Sequence, residues 1–369
     1  MANGPGGSRP RLRQLPMFAI CAPGVGRLLR RQLAAADGID VTRGGFDGQS
    51  DMVFFAADRA GRAHALRSRL AEDVFAEIGR ASRGGPARPG RTASAAAVAT
   101  MTWQPAAVER ALSVWADEVR QLSGSMTYRV TAQVRAQSRL QRSDLRRAMA
   151  AVIGADKPRW KFDERPALEF QLSEWHDGQY VAGLRISVPT GLRAGRTAAQ
   201  SGLLPVTVAA AMVQLAGDAA AVSPRSPGRI LLDPCCGAGT ILAEAAAAGW
   251  RAEGSDINPA AVETASRSAA GVPVQLGDAR ELLLADDCVS ACVSWLPGQV
   301  PGSWPEFARS VLAELSRVTR SGGRVVLLAP DLPRAVIPAA LRLRKQFPIQ
   351  LPGTSLPGTE QSIWVFHRA

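Results

Sequence analysis

Ile230-Leu231-Leu232-Asp233-Pro234-Cys235-Cys236-Gly237-Ala238-Gly239-Thr240 is the stretch on which the reading of the fold turns. An apolar run ends in an acid, two glycines follow one residue apart, and an apolar helical segment begins at Ile241 and runs to Ala248. That is a strand, a tight turn and a helix, and the glycines let the backbone bend sharply and let a ligand approach the peptide N–H groups. Outward from it, apolar runs recur at Arg229–Leu232, Trp250–Ser255, Val272–Leu276, Val289–Val293 and Arg324–Leu328. Helical stretches separate them, among them Ala260–Ala269 and Pro305–Val318. Alternation of this kind predicts a doubly wound parallel sheet. Leu343–Gln350 and Ile363–His367, joined by the Pro/Gly-rich Leu351–Thr359, add a terminal antiparallel hairpin and bring the sheet to seven strands.

The acids near this turn say what it could hold. Asp256 ends the second strand, 17 residues after Gly239, where a carboxylate can take both hydroxyls of a ribose. Asp278, in Leu276-Gly277-Asp278-Ala279, follows the third strand and could accept from an adenine amino group. A dinucleotide fingerprint would place a third glycine at position 242, which is Leu, and a phosphate-binding loop would need a lysine, of which residues 162–344 have none. Asp233 before the glycines suits a cationic ligand better than a pyrophosphate.

Composition bounds the rest. The 369 residues suit two or three domains, 46% of them are hydrophobic, and no uncharged apolar run is long enough to span a bilayer, so a cytoplasmic protein with no membrane partner is expected. No signal-peptide pattern opens the chain. Five cysteines without framework spacing argue for reduced thiols, and three scattered histidines with no paired C-x-x-C give no metal site. The net charge of +12 is unevenly placed: residues 1–200 hold 30 Lys+Arg against 18 Asp+Glu, whereas residues 201–369 hold 14 of each. The whole excess lies in the N-terminal half, as it would if that half bound a polyanion. Only three lysines occur, so a GC-biased genome explains arginine in place of lysine, but not why the excess stops near residue 200.

In that half, strands at Pro16–Cys21, Ile39–Phe46, Met52–Phe55 and Val74–Ile78, with helices at Gly24–Ala36 and Arg62–Leu70, give the β-α-β-β-α-β order of a ferredoxin-like domain over residues 15–80. Residues 81–99 read as a linker. A second α+β module spans residues 100–190, with a helix at Val108–Leu122 and strands at Met126–Val134, Leu168–Ser173 and Tyr180–Val188. It carries Arg135, Arg139, Arg142, Arg146 and Arg147, with Ser143 as the expected N-cap of a helix over Leu145–Ile153. The fourfold spacings would place these guanidiniums on neighbouring helical faces, a stripe for phosphates. Trp160 and Phe162 lie among Lys157, Arg159, Lys161 and Arg165, a mixture that could stack a base, although a packed core aromatic is the ordinary reading of one such residue.

Asp233-Pro234-Cys235-Cys236-Gly237-Ala238-Gly239-Thr240-Ile241-Leu242, followed by Glu244-Ala245, resembles the first motif of the Rossmann-fold RNA methyltransferases that carry a THUMP domain, the tRNA guanine-N2 methyltransferases and their relatives. Asp256-Ile257-Asn258-Pro259 and Gly277-Asp278-Ala279 resemble the second and third motifs. Gly191-Leu192-Arg193-Ala194-Gly195-Arg196 is similar to the Arg/Gly linker that leads into the sheet. The resemblance implies a ferredoxin-like domain, a THUMP-like module and, over residues 191–369, a class I methyltransferase domain. It also implies S-adenosylmethionine as cofactor, held by Asp233, Cys235, Gly237, Gly239, Asp256, Ile257, Asp278 and Ala279, and an RNA partner, tRNA above all. Arg193 and Arg196 join the RNA-binding arginines.

One motif departs from that pattern. After the fourth strand the family has Asn or Asp, then Pro or Leu, then Pro and an aromatic, which hold the acceptor base; here the chain reads Ser294-Trp295-Leu296-Pro297-Gly298-Gln299. An indole donates a hydrogen bond and cannot accept one. Ser294 Oγ and the Leu296 carbonyl are then the expected acceptors, Trp295 a surface on which a base could stack, and Ser294, Trp295, Leu296 and Pro297 the catalytic set. The expected function is methylation of the exocyclic N2 of a guanosine in tRNA. A non-catalytic RNA-binding protein that keeps the fold is the rival reading, and a small-molecule methyltransferase would leave the basic half without work.

Overall fold

The computed structural model describes residues 14–82, 94–119, 126–187, 203–217, 230–351 and 360–369, and the chain divides into two units, residues 1–188 and 189–369. In the first, β1 (Leu15–Cys21), α1 (Gly26–Ala34), β2 (Ile39–Phe46), β3 (Asp51–Ala57), α2 (Arg59–Arg67) and β4 (Asp73–Ser82) follow the β-α-β-β-α-β order. β1 lies between β3 and β4, antiparallel to both, and β2 pairs outside β3, which is the ferredoxin-like arrangement. Then come α3 (Ala95–Thr102), α4 (Pro105–Glu118), β5 (Thr127–Gln133), α5 (Arg142–Asp156), β6 (Lys161–Phe162), β7 (Leu168–His176) and β8 (Gln179–Arg185).

These strands do not make a second sheet. β8 pairs antiparallel with β4, so the order runs β2-β3-β1-β4-β8-β7-β5-β6 in one eight-stranded sheet. Aromatic packing joins the two parts: Trp175 of β7 meets Phe54 of β3 edge-on at 4.9 Å, and a Cβ on Gly183 of β8 would sit 2.6 Å from the Phe18 ring of β1. Trp175 lies so close over β2 that a Cβ on Gly45 would sit 2.6 Å from its ring. Burying such rings together is worth more than leaving two half-covered faces. The linker expected over residues 81–99 is accordingly narrower, since β4 continues to Ser82 and Ser94 already caps α3, accepting from the Ala97 N–H; residues 83–93 lie outside the described residues.

The arginine-rich stretch also differs in detail. α5 begins one residue before the expected serine cap, with Gln141 as an extended N-cap lacking a side-chain bond and Asp144 in the first turn, where its charge favours the helix dipole. Ser143 is therefore inside the helix. Arg142, Arg146 and Arg147 are helical, whereas Arg135 and Arg139 precede α5.

The second unit contains α6 (Val206–Ala216), β9 (Ile230–Asp233), α7 (Thr240–Ala247), β10 (Arg251–Asp256), α8 (Pro259–Ser268), β11 (Val274–Leu276), β12 (Val289–Trp295), α9 (Trp304–Val318), β13 (Thr319–Ala329), a 3-10 turn at Arg334–Val336, β14 (Leu341–Ile349) and β15 (Gln361–Arg368). The sheet order is β11-β10-β9-β12-β13-β15-β14, five parallel strands with β15 antiparallel to β13 and β14 antiparallel to β15. This is the seven-stranded sheet with a terminal hairpin expected of a class I methyltransferase. α9 buries Ala308, Val311, Leu312 and Leu315 against β12 and β13, its apolar residues recurring at helical spacing. α6 is apolar all round and is buried along nearly its whole length. Among the described residues, no helix is long and apolar enough to cross a membrane.

Candidate functional site

In a sheet that reverses its winding between β9 and β12, ligands bind beyond the carboxyl ends of the strands. There the chain turns from β9 into α7. Gly239, at φ +84°, is the N-cap of α7, and its N–H bonds the Cys236 carbonyl at 2.8 Å. A side chain at 239 would also sit 3.0 Å from the Ala265 Cα of α8. Gly237, at φ +51°, differs: a Cβ there would meet nothing within 4 Å. The first glycine keeps a space open, and the second permits close packing.

Two carboxylates brace this turn. Asp256, at the end of β10, accepts from the Gly237 N–H at 2.9 Å and, through its other oxygen, from the Asn258 N–H at 2.9 Å. It anchors the turn and retains lone pairs. Ile257, beside it, is 64% exposed, an apolar side chain held open to solvent. Asp233 is buried; one oxygen accepts from Ser294 Oγ at 2.6 Å and from the Cys235 N–H at 3.3 Å, while its Oδ2 has no partner among the described residues. Burial pushes this carboxyl up to about 7, against the opposing pull of the Ser294 bond. Burial, with Asp233 near by, also raises the Cys235 thiol and pushes Cys236 up to about 12, so neither serves as a thiolate.

Asp278 is engaged by a residue that the sequence reading passed over. Arg280 bonds both its oxygens, with Nη2 to Oδ2 at 2.6 Å and Nε to Oδ1 at 3.0 Å, and this pairing holds the carboxyl below its ordinary value. Ala279 is buried in the core. Among the described residues, no group of three or more His, Cys, Asp or Glu is placed to hold a metal.

At the end of β12 one of the two expected acceptors, Ser294 Oγ, is engaged elsewhere. Ser294 is buried and gives its proton to Asp233, so it belongs to the acid's surroundings. The Leu296 side chain is fully buried among Val311, Leu312 and Leu327, and its N–H bonds the Leu328 carbonyl at 2.9 Å. Trp295 is half-buried and donates from Nε1 to Gln361 Oε1 at 2.9 Å. Pro297 is exposed. Gln361 lies 66 residues from Trp295, and no local spacing signals it.

In the first unit, a cavity of about 600 Å³ is lined by Arg129, Thr131, Ser143, Arg146, Arg147 and Phe162. Phe162 is 64% exposed, whereas Trp160 stacks on Phe170 at 6.2 Å. Of the expected basic residues, Arg139, Arg142, Arg146, Arg147, Arg159 and Lys161 are exposed and Arg135 is half-buried. Arg147 reaches Asp144 at 3.4 Å, and Lys157 is paired with Glu109 and Asp156. Arg193 and Arg196 lie outside the described residues.

Residues 231–323 match the family model of a methyltransferase domain. With the seven-stranded sheet, this defines the second unit as a class I methyltransferase fold. Over nearly the whole chain the structure is similar to TrmN from Thermus thermophilus, with a TM-score of 0.68 and 20% identity, covering 96% of this chain and 100% of that one. It is similar also to a possible methylase from Clostridium difficile 630, with a TM-score of 0.63 and 14% identity, covering 97% of this chain and 99% of that one. At such identities the likeness is one of fold. No curated protein matches the sequence.

Proposed function

We propose that the chain is an S-adenosylmethionine-dependent methyltransferase that modifies RNA, with N2 of a guanosine in tRNA as the acceptor. The observation that carries the cofactor is the buried Asp233 Oδ2, a polar atom with no partner among the described residues, on the acid that leads into the turn whose Gly237 fronts open space. An unpaired buried carboxylate oxygen is costly, and an ammonium would satisfy it. Asp256 would hold the ribose hydroxyls with its remaining lone pairs, and the exposed Ile257 would cover one face of the adenine. S-adenosylmethionine, when bound, supplies an electrophilic methyl group on a sulfonium. The protein's own part is orientation: an exocyclic amine needs little base catalysis but must be aligned with the methyl group.

The RNA reading rests on the charge excess of residues 1–200 and on the cavity beside α5, where Arg146 and Arg147 stand next to an exposed aromatic ring. Guanidiniums can neutralise phosphates while such a ring stacks a base. One observation favours the non-catalytic rival: Ser294 Oγ is fully buried and bonded to Asp233, which leaves the Leu296 carbonyl as the one expected acceptor for an amine. Calorimetry with S-adenosylmethionine, followed by methyl transfer to total tRNA, separates the readings. Binding with transfer supports the proposal, binding without transfer supports the rival, and no binding removes the cofactor assignment.

A further inference from the structure

Trp295 ends β12 and Gln361 opens β15, and β13 stands between those strands in the sheet. The register places Trp295 beside Leu328 and Ser362 beside Ala329, so the indole reaches across the end of β13 to bond Gln361 Oε1. An indole N–H can only donate. The amide therefore has one orientation available, with its oxygen toward Trp295 and Nε2 turned away. Nε2 lies 3.9 Å from where a Cβ would stand on Gly298, and glycine leaves that position empty. Among the described residues none accepts from Nε2. Its donors thus face the loop after β12, at the carboxyl edge of the sheet that also holds Asp233 and Asp256.

The side chains at the end of β12 consequently have the reverse polarity of a set built to accept from an amine. Ser294 spends its proton on Asp233, the Leu296 side chain is in the core, and Trp295 Nε1 is bonded to Gln361. What these side chains leave is a half-buried indole ring and a pair of amide N–H donors. We propose that Trp295 and Gln361 set acceptor specificity: the indole locks the amide, and its N–H group reads a hydrogen-bond acceptor atom on the methylated base, an unprotonated ring nitrogen or a carbonyl oxygen. This rests on the methyltransferase reading above. On a guanine, N3 beside the exocyclic amine and O6 are atoms of that kind.

Glutamine-labelled full-length protein, with S-adenosylhomocysteine present, is titrated with total tRNA while the Gln361 side-chain amide is followed by NMR, its signal identified by its loss in Gln361→Glu. One Nε2 proton is expected to shift and to exchange more slowly on titration. In Trp295→Phe, which keeps a ring but loses the N–H, that protection is expected to be lost. Methyl transfer by Gln361→Glu is expected to fall about tenfold or more in kcat/KM, since a carboxylate would face the acceptor atom. S-adenosylmethionine affinity by calorimetry should be unchanged in both variants. An amide signal unmoved by tRNA, or wild-type kcat/KM in Gln361→Glu, overturns the proposal and leaves the methyltransferase reading standing. Failure of the wild-type protein to bind S-adenosylmethionine overturns that reading instead.

Discussion

Asp233 is the residue on which the cofactor assignment is most exposed to test. Burial keeps its proton to about pH 7, whereas in the unfolded chain the group titrates near the ordinary aspartate value. Between those values the folded protein binds the additional proton, so stability contributed by this group falls as pH rises from about 4 to 7. A cationic ligand prefers the ionised carboxylate, and the sign for binding is the opposite. Affinity for S-adenosylmethionine is predicted to rise from pH 6 to 7.5 with release of up to one proton, measured by calorimetry in buffers of different ionisation heat. 5′-Methylthioadenosine, which lacks the amino group, should show neither effect, and Asp233→Asn should abolish the dependence. At Asp256, replacement by alanine removes the expected ribose contacts together with the bonds to the Gly237 and Asn258 N–H groups. A loss of about 1.5 to 3 kcal/mol in cofactor binding is expected, the range for hydrogen bonds to a charged group. Unchanged affinity in the same titration would take Asp256 out of the site.

The turn between β9 and α7 makes a contrasting pair of predictions at the scale of an element. Gly239→Ala forces a left-handed residue and brings a Cβ to 3.0 Å from the backbone of α8, so thermal unfolding should show a loss of about 1 to 3 kcal/mol. Gly237→Ala places its methyl group in open space, so it should lower cofactor affinity by more than Gly239→Ala does. Equal effects of the two on binding would mean that the space at Gly237 is not the cradle. This turn was legible in the sequence because strand, acid, glycines and helix are neighbours along the chain, and the same holds for the β9-to-β13 alternation. What was not legible joins distant segments. Nothing in the periodicity of Tyr180–Arg185 says that β8 pairs with β4 and makes one sheet of two modules. Gln361 was out of reach for the same reason. Arg280 is within reach of the sequence, since Asp-x-Arg on a turn places a guanidinium beside its carboxylate. Ser143 failed as a cap because Gln141 starts the helix without one.

At the scale of the molecule, the proposed function puts polyanion binding in residues 1–200, which carry the charge excess, and methyl transfer in the neutral residues 201–369. Full-length protein should bind tRNA with affinity that falls steeply and linearly in log salt, because displaced counterions drive such binding. Arg146→Ala should lower the affinity across tRNA sequences and reduce the salt slope by about one. A slope unchanged in that variant would remove the α5 cavity from the interface. The central claim joins the two activities, and one measurement tests it most directly: transfer of the radiolabelled methyl group of S-adenosylmethionine to total tRNA by the full-length protein, with the product digested to nucleosides and identified by mass spectrometry. Methyl incorporation into guanosine at N2 is the predicted result; S-adenosylmethionine and tRNA both bound, with no methyl group transferred to any nucleoside, would contradict it.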